Sequence, residues 1–239
     1  MKKLVVVTGA SSGIGREMAK RFSEEGHPLL LLARRLEPME ELHLPHCLCR
    51  SVDVTRPEDV KKAVAEAEAM YGKTDLLINA AGIMLLGHPE TQSFEEWDRM
   101  IDVNVKGVLA GMNAVLKDMI ARREGTVINI SSIAGRKTFD NHAVYCGTKY
   151  AVHAMTEAVR REVSGSSVRL IVIAPGVVDT PLLSHTSDEQ IKADYNEWKK
   201  SIHGGLEAGD VADCALFAYR MPQSVCVREM VIAATLQAD

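Results

Sequence analysis

Short apolar runs alternate along the chain with longer amphipathic stretches. The apolar runs consist largely of Val, Ile and Leu in succession, which is typical of parallel strands buried on both faces. They predict strands near 3–8, 28–33, 46–52, 74–79, 125–131, 168–174 and 225–231. The amphipathic stretches repeat their apolar positions every three or four residues and predict helices near 14–25, 57–71, 93–122, 143–164 and 208–220.

This alternation predicts an α/β fold, a doubly wound parallel sheet of about seven strands with helices on both faces. No repeat, linker or change of composition divides the chain, so we expect residues 1–239 to form one domain. The stretch 184–207 breaks the alternation because it is polar, carries Trp198 and contains Gly204 and Gly205. Its position before the last helix predicts a lid or substrate loop.

The overall composition narrows the classes of function. Hydrophobic residues make up 46% of the chain and charged residues 25%, which is ordinary for a globular protein. The net charge of −4 gives no general electrostatic reason to bind nucleic acid or an anionic membrane. The apolar run at 29–33 is too short to cross a bilayer, and the first run ends at Thr8-Gly9, too early for a signal peptide.

The five cysteines are odd in number and scattered, which fits reduced thiols in the cytoplasm. Cys47 and Cys49 lie near His43 and His46, a combination that resembles a metal site. Alternate positions of a strand explain the cysteine pair, and no second ligand cluster accompanies it. We therefore expect a cytoplasmic protein without a metal.

The turn after the first strand is the first candidate for chemistry. Strand, glycine turn and helix together expose backbone N–H groups at a helix N-terminus, where a pyrophosphate is stabilised. Glycine permits the tight turn and the close approach of a phosphate, while the two serines are candidate caps or hydroxyl contacts. An ordinary capped turn remains the alternative. The candidate contacts are Gly9, Ser11, Ser12, Gly13, Ile14 and Gly15.

Arg34 and Arg35 follow the second strand. In the NAD form of this fold an acidic residue at that place binds the ribose hydroxyls. Two guanidinium groups instead suit the 2′-phosphate of NADP, because they form bidentate hydrogen bonds to phosphate. A solvated pair of arginines at a strand end is the alternative. The pair favours NADPH/NADP+ as cofactor.

The ends of the next two strands carry further candidates. Asp53 is a candidate acceptor for an adenine amino group and Val54 a contact for its ring, although Asp53 also fits a turn before Pro57. After the fourth strand, Ala80, Ala81 and Gly82 are small enough for a ribose or flat ring to approach the backbone. Asn79 precedes them and is expected mainly to tie this turn to neighbouring strands.

The pattern Tyr145-x-x-x-Lys149 adds a candidate for proton transfer. Residues four apart share one helix face, and an ammonium near a phenol lowers the pKa of the phenol. A tyrosine tuned in this way exchanges protons with a carbonyl or carbinol oxygen. A surface helix pair is the alternative. Asn104, a polar residue within a helical run, is either a helix–helix hydrogen bond or part of a water-filled proton relay.

Taken together, these motifs resemble the short-chain dehydrogenase/reductase family, whose fold is Rossmann-type. Ser132 and Pro175-Gly176 complete the resemblance, and Ser132 precedes Tyr145 at a spacing that suits the family. The pattern departs from the commonest one in Asn79-Ala80-Ala81-Gly82, where a second asparagine is frequent. The motifs occur in the family's order and spread over most of the chain.

The resemblance implies a role for each matching residue. Tyr145 is implied as acid/base, Lys149 as its activator and a contact of the nicotinamide ribose, and Ser132 as the group that hydrogen-bonds the substrate oxygen. Asn104 is implied to hold a water that links Lys149 to solvent. The nicotinamide carboxamide is implied to contact Pro175, Gly176, Val178 and Thr180.

The resemblance also implies a homotetramer, or a homodimer, built through the helices near 106–122 and 143–164. Both stretches carry more apolar residues than one core-facing row of a helix needs, and the additional ones would form such an interface. They are Val108, Leu109, Met112, Val115, Val152, Met155 and Val159.

Three functions stay open at this point. The first is an NADP(H)-dependent oxidoreductase that transfers a hydride between nicotinamide and a carbonyl or alcohol substrate. The second follows from resemblance to a fluorescent subgroup of the family, in which bound NADPH emits blue light. Its ring would be shielded from water by Ile83, Val178, Leu182, Leu183 and Trp198. The third is a regulatory sensor without catalysis.

Overall fold

The apolar runs form a single parallel sheet in the computed structural model, which describes residues 2–238. Its strand order is β3-β2-β1-β4-β5-β6-β7, and all the paired strands run parallel. The strands are β1 Leu4–Thr8, β2 Leu29–Ala33, β3 Cys47–Ser51, β4 Thr74–Asn79, β5 Gly125–Ile130, β6 Val168–Pro175 and β7 Glu229–Ile232.

Helices cover both faces of this sheet. They are α1 Gly13–Glu24, α2 Glu37–Glu40, α3 Pro57–Tyr71, α4 Phe94–Ile101, α5 Gly107–Arg122, α6 Ala143–Glu162, α7 Glu189–Ser201 and α8 Ala208–Arg220. Side chains of β1 alternate between the faces: Val5 packs in the cluster that includes α1 and α8, and Val6 in the cluster that includes α3, α5 and α6. The predicted α/β class and doubly wound Rossmann-type sheet are confirmed.

The strand order reverses at β1, which lies between β2 and β4. The chain leaves β1 toward one face of the sheet and leaves β4 toward the other, so a crevice opens beyond their carboxyl ends. The glycine turn after β1 and the Ala80–Gly82 turn after β4 lie at this reversal.

Three predicted elements differ from the structure. The helix predicted over 93–122 is α4 and α5 joined by one π-helical turn, Asp102–Lys106. The last strand is shorter and begins at Glu229 rather than near residue 225. The loop predicted at 184–207 contains the helix α7, whose N-terminus is capped by Asp188 through a 3.0 Å hydrogen bond from the Ile191 N–H. Because Ile191 is the one residue of α7 that is buried, its apolar pattern is too weak to reveal the helix.

The apolar residues assigned to an interface on α5 and α6 also need correction. Val108, Met112, Val115 and Val152 are buried in the chain's own core. Met155 and Val159 pack partly against the same core. Of the seven, Leu109 is the exposed one, at 42%. The additional apolar residues of α5 and α6 are therefore explained by the chain's own core, which buries more than one row of side chains on each helix.

Within residues 2–238, no helix is both long enough and apolar enough to cross a bilayer.

Candidate functional site

A cavity of about 790 Å³ opens at the carboxyl end of the sheet. The turn after β1, the ends of β2 to β6, the start of α6 and the segment 181–199 all contribute side chains to its wall. Its position at the reversal of strand order is where open parallel sheets bind ligands. The cavity is therefore the candidate active site.

The glycine turn is packed so closely that larger residues would not fit. Gly9 has a φ of +70°, and a Cβ there would lie 2.7 Å from the backbone of Ala81. A Cβ on Gly15 would lie 2.4 Å from the carbonyl oxygen of Gly9. Ser12 occupies the N-cap position of α1, but its side chain makes no capping hydrogen bond. The free amides at this helix N-terminus suit a phosphate.

Thr8 joins this turn to the turn after β4. Its hydroxyl oxygen accepts hydrogen bonds from the N–H groups of Ala80 and Ala81, both at 3.2 Å. The side chain is fully buried, so the two strand ends are held by one hydroxyl. Sequence reasoning missed this role, although Thr8 opens the turn that it singled out.

The two arginines lie at the edge of the cavity and are exposed. Arg35 donates a long hydrogen bond of 3.4 Å to the hydroxyl of Ser11. The guanidinium of Arg34 has no hydrogen bond or ion pair within residues 2–238. Both groups are therefore available to a phosphate bound beside Ser11, as the extra phosphate of NADP requires.

Asp53 and Val54 line the same end of the cavity. One carboxylate oxygen of Asp53 accepts hydrogen bonds from the N–H and hydroxyl of Thr55, at 3.0 and 2.8 Å. The turn predicted before Pro57 is thus present, and the second carboxylate oxygen remains for an adenine amino group.

Asn79 lies outside the cavity wall. Its amide nitrogen donates to the side-chain oxygen of Asn129 at 2.8 Å and to the carbonyl oxygen of Val108 at 3.4 Å. Its oxygen packs so closely against Gly111 that a Cβ there would lie 2.1 Å away. Asn79 therefore ties β4 to β5 and α5, which is the structural alternative that the sequence offered for it.

Ser132, Tyr145 and Lys149 meet in the centre of the cavity. Tyr145 and Lys149 lie one turn apart on α6, with the Lys149 ammonium 5.6 Å from the centre of the Tyr145 ring. Lys149 Nζ donates to the carbonyl oxygen of Ile130, the last residue of β5, at 3.1 Å. The Ser132 hydroxyl accepts a 3.0 Å bond from the Ala134 N–H, which fixes its rotamer.

Burial dominates the ionisation of the two groups on α6. It raises the pKa of the Tyr145 hydroxyl, and a hydrogen bond from Ser132 opposes that rise. It lowers the pKa of Lys149 to about 8. The net pKa of Tyr145 is therefore raised and not lowered as expected, because burial, which penalises the phenolate and the ammonium alike, outweighs the effect of the Lys149 charge. Tyr145 keeps its proton at neutral pH.

Asn104 lies in the π-helical turn behind this centre and does not line the cavity. Its oxygen accepts from the Ile83 N–H at 2.8 Å, and its nitrogen donates to the Ile83 carbonyl at 2.9 Å. The nitrogen also donates to the Thr148 hydroxyl on α6 at 3.1 Å. The helix–helix hydrogen bond predicted as one alternative is thus present. A water-holding role would have to use other atoms of this turn.

The remaining side of the cavity is an aromatic and apolar wall, of which sequence reasoning found Leu182, Leu183 and Trp198 and missed the other members. Its members come from the loop before α6, from the N-cap position of α6 and from the segment 181–198. They are Phe139, His142, Leu182, Leu183, Tyr195 and Trp198. The spacing of three residues between His142 and Tyr145, and between Tyr195 and Trp198, would have shown that each pair shares a helix face.

Two contacts fix the segment that carries this wall. The Thr186 hydroxyl accepts from the Leu86 N–H at 3.0 Å and donates to the Met84 carbonyl at 3.3 Å. Lys199 on α7 pairs with Asp179 at 2.5 Å. The segment is therefore anchored at both ends over the centre that contains Tyr145.

The donor set fits a dinucleotide and not a metal. One cavity contains the glycine turn for phosphates, the two arginines and the centre for proton transfer. Its wall also includes residues at and after the end of β6, namely Pro175, Gly176, Val178 and Thr180. Within residues 2–238, no three His, Cys, Asp or Glu side chains lie close enough together to hold a metal ion. All the candidate residues except Asn79 and Asn104 line the cavity.

Comparison with known proteins adds a family to this geometry. The sequence profile described as short chain dehydrogenase matches residues 3–191. An uncharacterized oxidoreductase of Staphylococcus saprophyticus is 40% identical over 242 residues, which cover 99% of this chain and 97% of the relative.

Solved structures agree in fold over the whole chain. The closed form of a serine dehydrogenase complexed with NADP+ superposes with a TM-score of 0.91 at 29% identity, covering 99% of this chain and 96% of that one. A ligand-free aldohexose dehydrogenase of Thermoplasma acidophilum has a TM-score of 0.83 at 29% identity, covering 97% of this chain and 92% of that one.

Proposed function

The chain belongs to the short-chain dehydrogenase/reductase family and is an oxidoreductase of that family; from this and from the cavity we propose that it is an NADP(H)-dependent carbonyl reductase or alcohol dehydrogenase. One observation carries the proposal. Ser132, Tyr145 and Lys149 converge in the same cavity as the glycine turn and the two arginines. A site for proton transfer and a site for a phosphorylated dinucleotide are thus one site.

The chain's own residues handle the substrate oxygen and its proton. Ser132 and Tyr145 hydrogen-bond the carbonyl oxygen, which stabilises the negative charge that develops there. When bound, a reduced nicotinamide supplies the hydride that adds to the carbonyl carbon. As the C=O π bond breaks, the Tyr145 hydroxyl gives its proton to the oxygen, and the product is an alcohol. Because burial raises the pKa of Tyr145, the tyrosine is protonated and ready for reduction at neutral pH.

Lys149 has a second task in this scheme. Its ammonium lies within reach of both the Tyr145 ring and the Gly82 turn, where a Cβ would come within 3.8 Å of Nζ. A ribose resting on that turn would meet the ammonium, and the same charge would stabilise the tyrosinate left after proton transfer. The lysine would thus orient the cofactor and support the acid.

The main test is the oxidation of NADPH with a panel of aldehydes and ketones, followed by absorbance. The variant Y145F removes the proton donor and keeps the ring, so its kcat should fall by roughly 10²- to 10⁴-fold while NADPH binding persists. Absence of turnover with every substrate, or full activity in Y145F, would refute the proposed reaction.

The preference for NADPH is tested separately by calorimetry. Replacing Arg34 and Arg35 with alanine should weaken NADPH binding by roughly 10- to 100-fold and leave NADH binding nearly unchanged, because only the extra phosphate loses its charged partners. R161A, at an exposed arginine at the end of α6, is the matched control. An unchanged preference in the double variant would remove the arginines from the assignment.

Fluorescence of bound NADPH is a second, weaker candidate. Its support is that all five side chains expected to shield the ring line the cavity: Ile83, Val178, Leu182, Leu183 and Trp198. The relatives described above carry the names of oxidoreductases and dehydrogenases and not of fluorescent proteins. Emission of NADPH no brighter with the protein than without it would exclude this reading.

We further propose that the protein works in the cytoplasm as a homotetramer or homodimer, on a small carbonyl or alcohol substrate, without nucleic acid or membrane as partner. The exposed apolar side chains of α5 support an assembly. Leu109 and Ile120 are 42% and 39% exposed and lie on one face of that helix.

A further inference from the structure

His142 lies in the substrate half of the cavity and has no role in the scheme above. It occupies the N-cap position of α6, one helical turn before Tyr145. The centre of its ring is 6.1 Å from that of Tyr145 and 6.3 Å from that of Tyr195. A polar ring therefore lies beside the proton donor, within a wall that is mostly aromatic and apolar.

The hydrogen bond of the imidazole fixes its tautomer. Nδ1 is 2.5 Å from the backbone carbonyl oxygen of Asp140. A carbonyl oxygen only accepts, so Nδ1 carries the hydrogen and Nε2 of the neutral ring carries a lone pair. Nε2 has no hydrogen-bond partner within residues 2–238 and is not among the buried unpaired atoms. It is thus an open acceptor beside the reacting centre.

The charges around this half of the cavity disfavour an anionic substrate. Lys199 is already paired with Asp179, and Lys149 is committed to the Tyr145 centre. The exposed carboxylate of Asp140 lines the same wall and would repel an anion. Arg34 and Arg35 lie at the far end, beside Ser11. Among the described residues that line the substrate half, no further lysine or arginine is present to hold a carboxylate.

We propose that the substrate is an uncharged hydroxy ketone or hydroxy aldehyde whose second hydroxyl, one or two carbons from the carbonyl, donates a hydrogen bond to Nε2 of His142. The inference rests on the proposed function, because Ser132 and Tyr145 hold the carbonyl oxygen at the same time. The product is a diol. The rest of the substrate packs against Phe139, Leu183 and Trp198, which form an apolar wall.

A site that hydrogen-bonds a substrate hydroxyl rejects the analogue that lacks it, because the buried partner is then left unpaired. The matched substrates are α-hydroxyacetophenone and acetophenone, which differ only in that hydroxyl, with phenylglyoxylate as the charged comparator. Wild-type kcat/KM with NADPH should favour the hydroxy ketone over acetophenone by roughly tenfold or more. Phenylglyoxylate should be the poorest of the three.

Two variants test whether His142 causes this preference. H142F keeps a ring and removes the acceptor, so the hydroxy ketone should lose roughly tenfold more kcat/KM than acetophenone does. H142Q restores an acceptor and should recover most of the ratio. A ratio that is the same in wild type, H142F and H142Q would overturn the inference.

A third readout needs only the wild-type protein. Burial lowers the pKa of His142, and protonation would convert Nε2 from an acceptor to a donor. The groups that face the ring are Asp140 before α6, Tyr145 on α6 and Tyr195 on α7. A substrate hydroxyl can also accept from the imidazolium, so the informative ratio is that of phenylglyoxylate to acetophenone. This ratio should be low at neutral pH and rise as the pH drops below the pKa of His142, because the imidazolium then attracts the carboxylate. Titration of Tyr145 or Lys149 changes both rates and not their ratio.

The outcomes separate this inference from the proposed function. Turnover of all three ketones at similar rates keeps the reductase and rejects the substrate class. Turnover of none, with NADPH bound in calorimetry, rejects both the substrate class and the proposed reaction, but keeps the cofactor site. A preference for phenylglyoxylate rejects the argument from charge.

Discussion

At the scale of single residues, the site is costly for the fold because it buries groups that prefer water. Lys149 is buried, and within residues 2–238 its one hydrogen-bond acceptor is a backbone carbonyl and no carboxylate offsets its charge. The pKa of a buried amine falls when the charged form is penalised, and that difference is also a loss of stability. The buried charge that catalysis needs at Lys149 therefore lowers the stability of the folded chain.

The variant K149M should make the protein more stable and inactive. Burial lowers the Lys149 pKa from 10.5 to about 8, so below pH 8 the folded state carries the full penalty of the buried charge. Between these two pKa values the unfolded chain binds more protons, so stability rises with pH. K149M should gain about 1 to 3 kcal/mol at pH 7, after the unpaired Ile130 carbonyl is counted, and the gain should vanish near pH 10.5.

Denaturant unfolding at pH 7 and at pH 10 measures this difference. K62M, at an exposed lysine of α3, is the control and should show no such pH-dependent gain. A K149M protein less stable than the wild type at pH 7 would contradict the account.

Thr8 gives a second prediction at this scale. T8V removes the hydroxyl that accepts from Ala80 and Ala81 and leaves two half-buried N–H groups without this acceptor. We expect a loss of about 1 to 3 kcal/mol in urea unfolding, which is less than two fully buried unpaired groups would cost, because the cavity gives both groups access to water. T8S keeps the hydroxyl and should lose about 1 kcal/mol for the missing methyl. Equal losses in both variants would show that the hydroxyl contributes nothing.

At the scale of elements, the sequence predicts those strands and helices whose bounds are set by the pattern of hydrophobic residues. Strands such as β4, Thr74–Asn79, agree with the prediction to the residue because apolar runs end at turn residues. Helix α3 begins at Pro57, a good first residue of a helix, and was predicted with its observed bounds.

Elements held by single polar contacts are the ones the pattern cannot predict. Helix α7 depends on the Asp188 cap and the Lys199–Asp179 pair, neither of which has an apolar periodicity. The spacing of Tyr145 and Lys149 made them candidates, and the resemblance to the family selected them over a surface helix pair. His142 and Tyr195 were missed because their proximity depends on how α7 packs over α6.

The segment 181–201 should loosen when its anchor is removed. T186V abolishes the bonds to Leu86 and Met84 and keeps the shape of the side chain. We expect the substrate KM to rise by roughly five- to tenfold, since about 1 to 1.4 kcal/mol of local order is lost. Hydrogen exchange in 186–201 should quicken, with kcat changed less than KM. T186S retains both bonds and should behave as the wild type; equal effects in T186V and T186S would contradict the anchor.

At the scale of the whole molecule, the two faces of the sheet are covered in the same way. Both are buried by helices, so the core does not depend on another copy of the chain. The exposed apolar side chains are scattered over the helices, the edge strand β7 and nearby loops, and among them Leu109 and Ile120 share a face of α5. Scattered exposure is normal on a protein surface, and a shared helix face is what an interface between copies needs.

The last prediction tests that face. The double variant L109E/I120E introduces two carboxylates where the proposed assembly would bury apolar side chains, and like charges would then meet across a symmetric interface. Light scattering after size exclusion should show a smaller particle than the wild type, while the circular dichroism spectrum should show that the fold of the monomer is unchanged.

M70E, at a 57% exposed methionine of α3 outside that face, is the control and should keep the wild-type mass. Because no residue of α5 lines the cavity, kcat should survive in the dissociated variant. A wild type that is monomeric, or a double variant of unchanged mass, would rule out the α5 face as the interface.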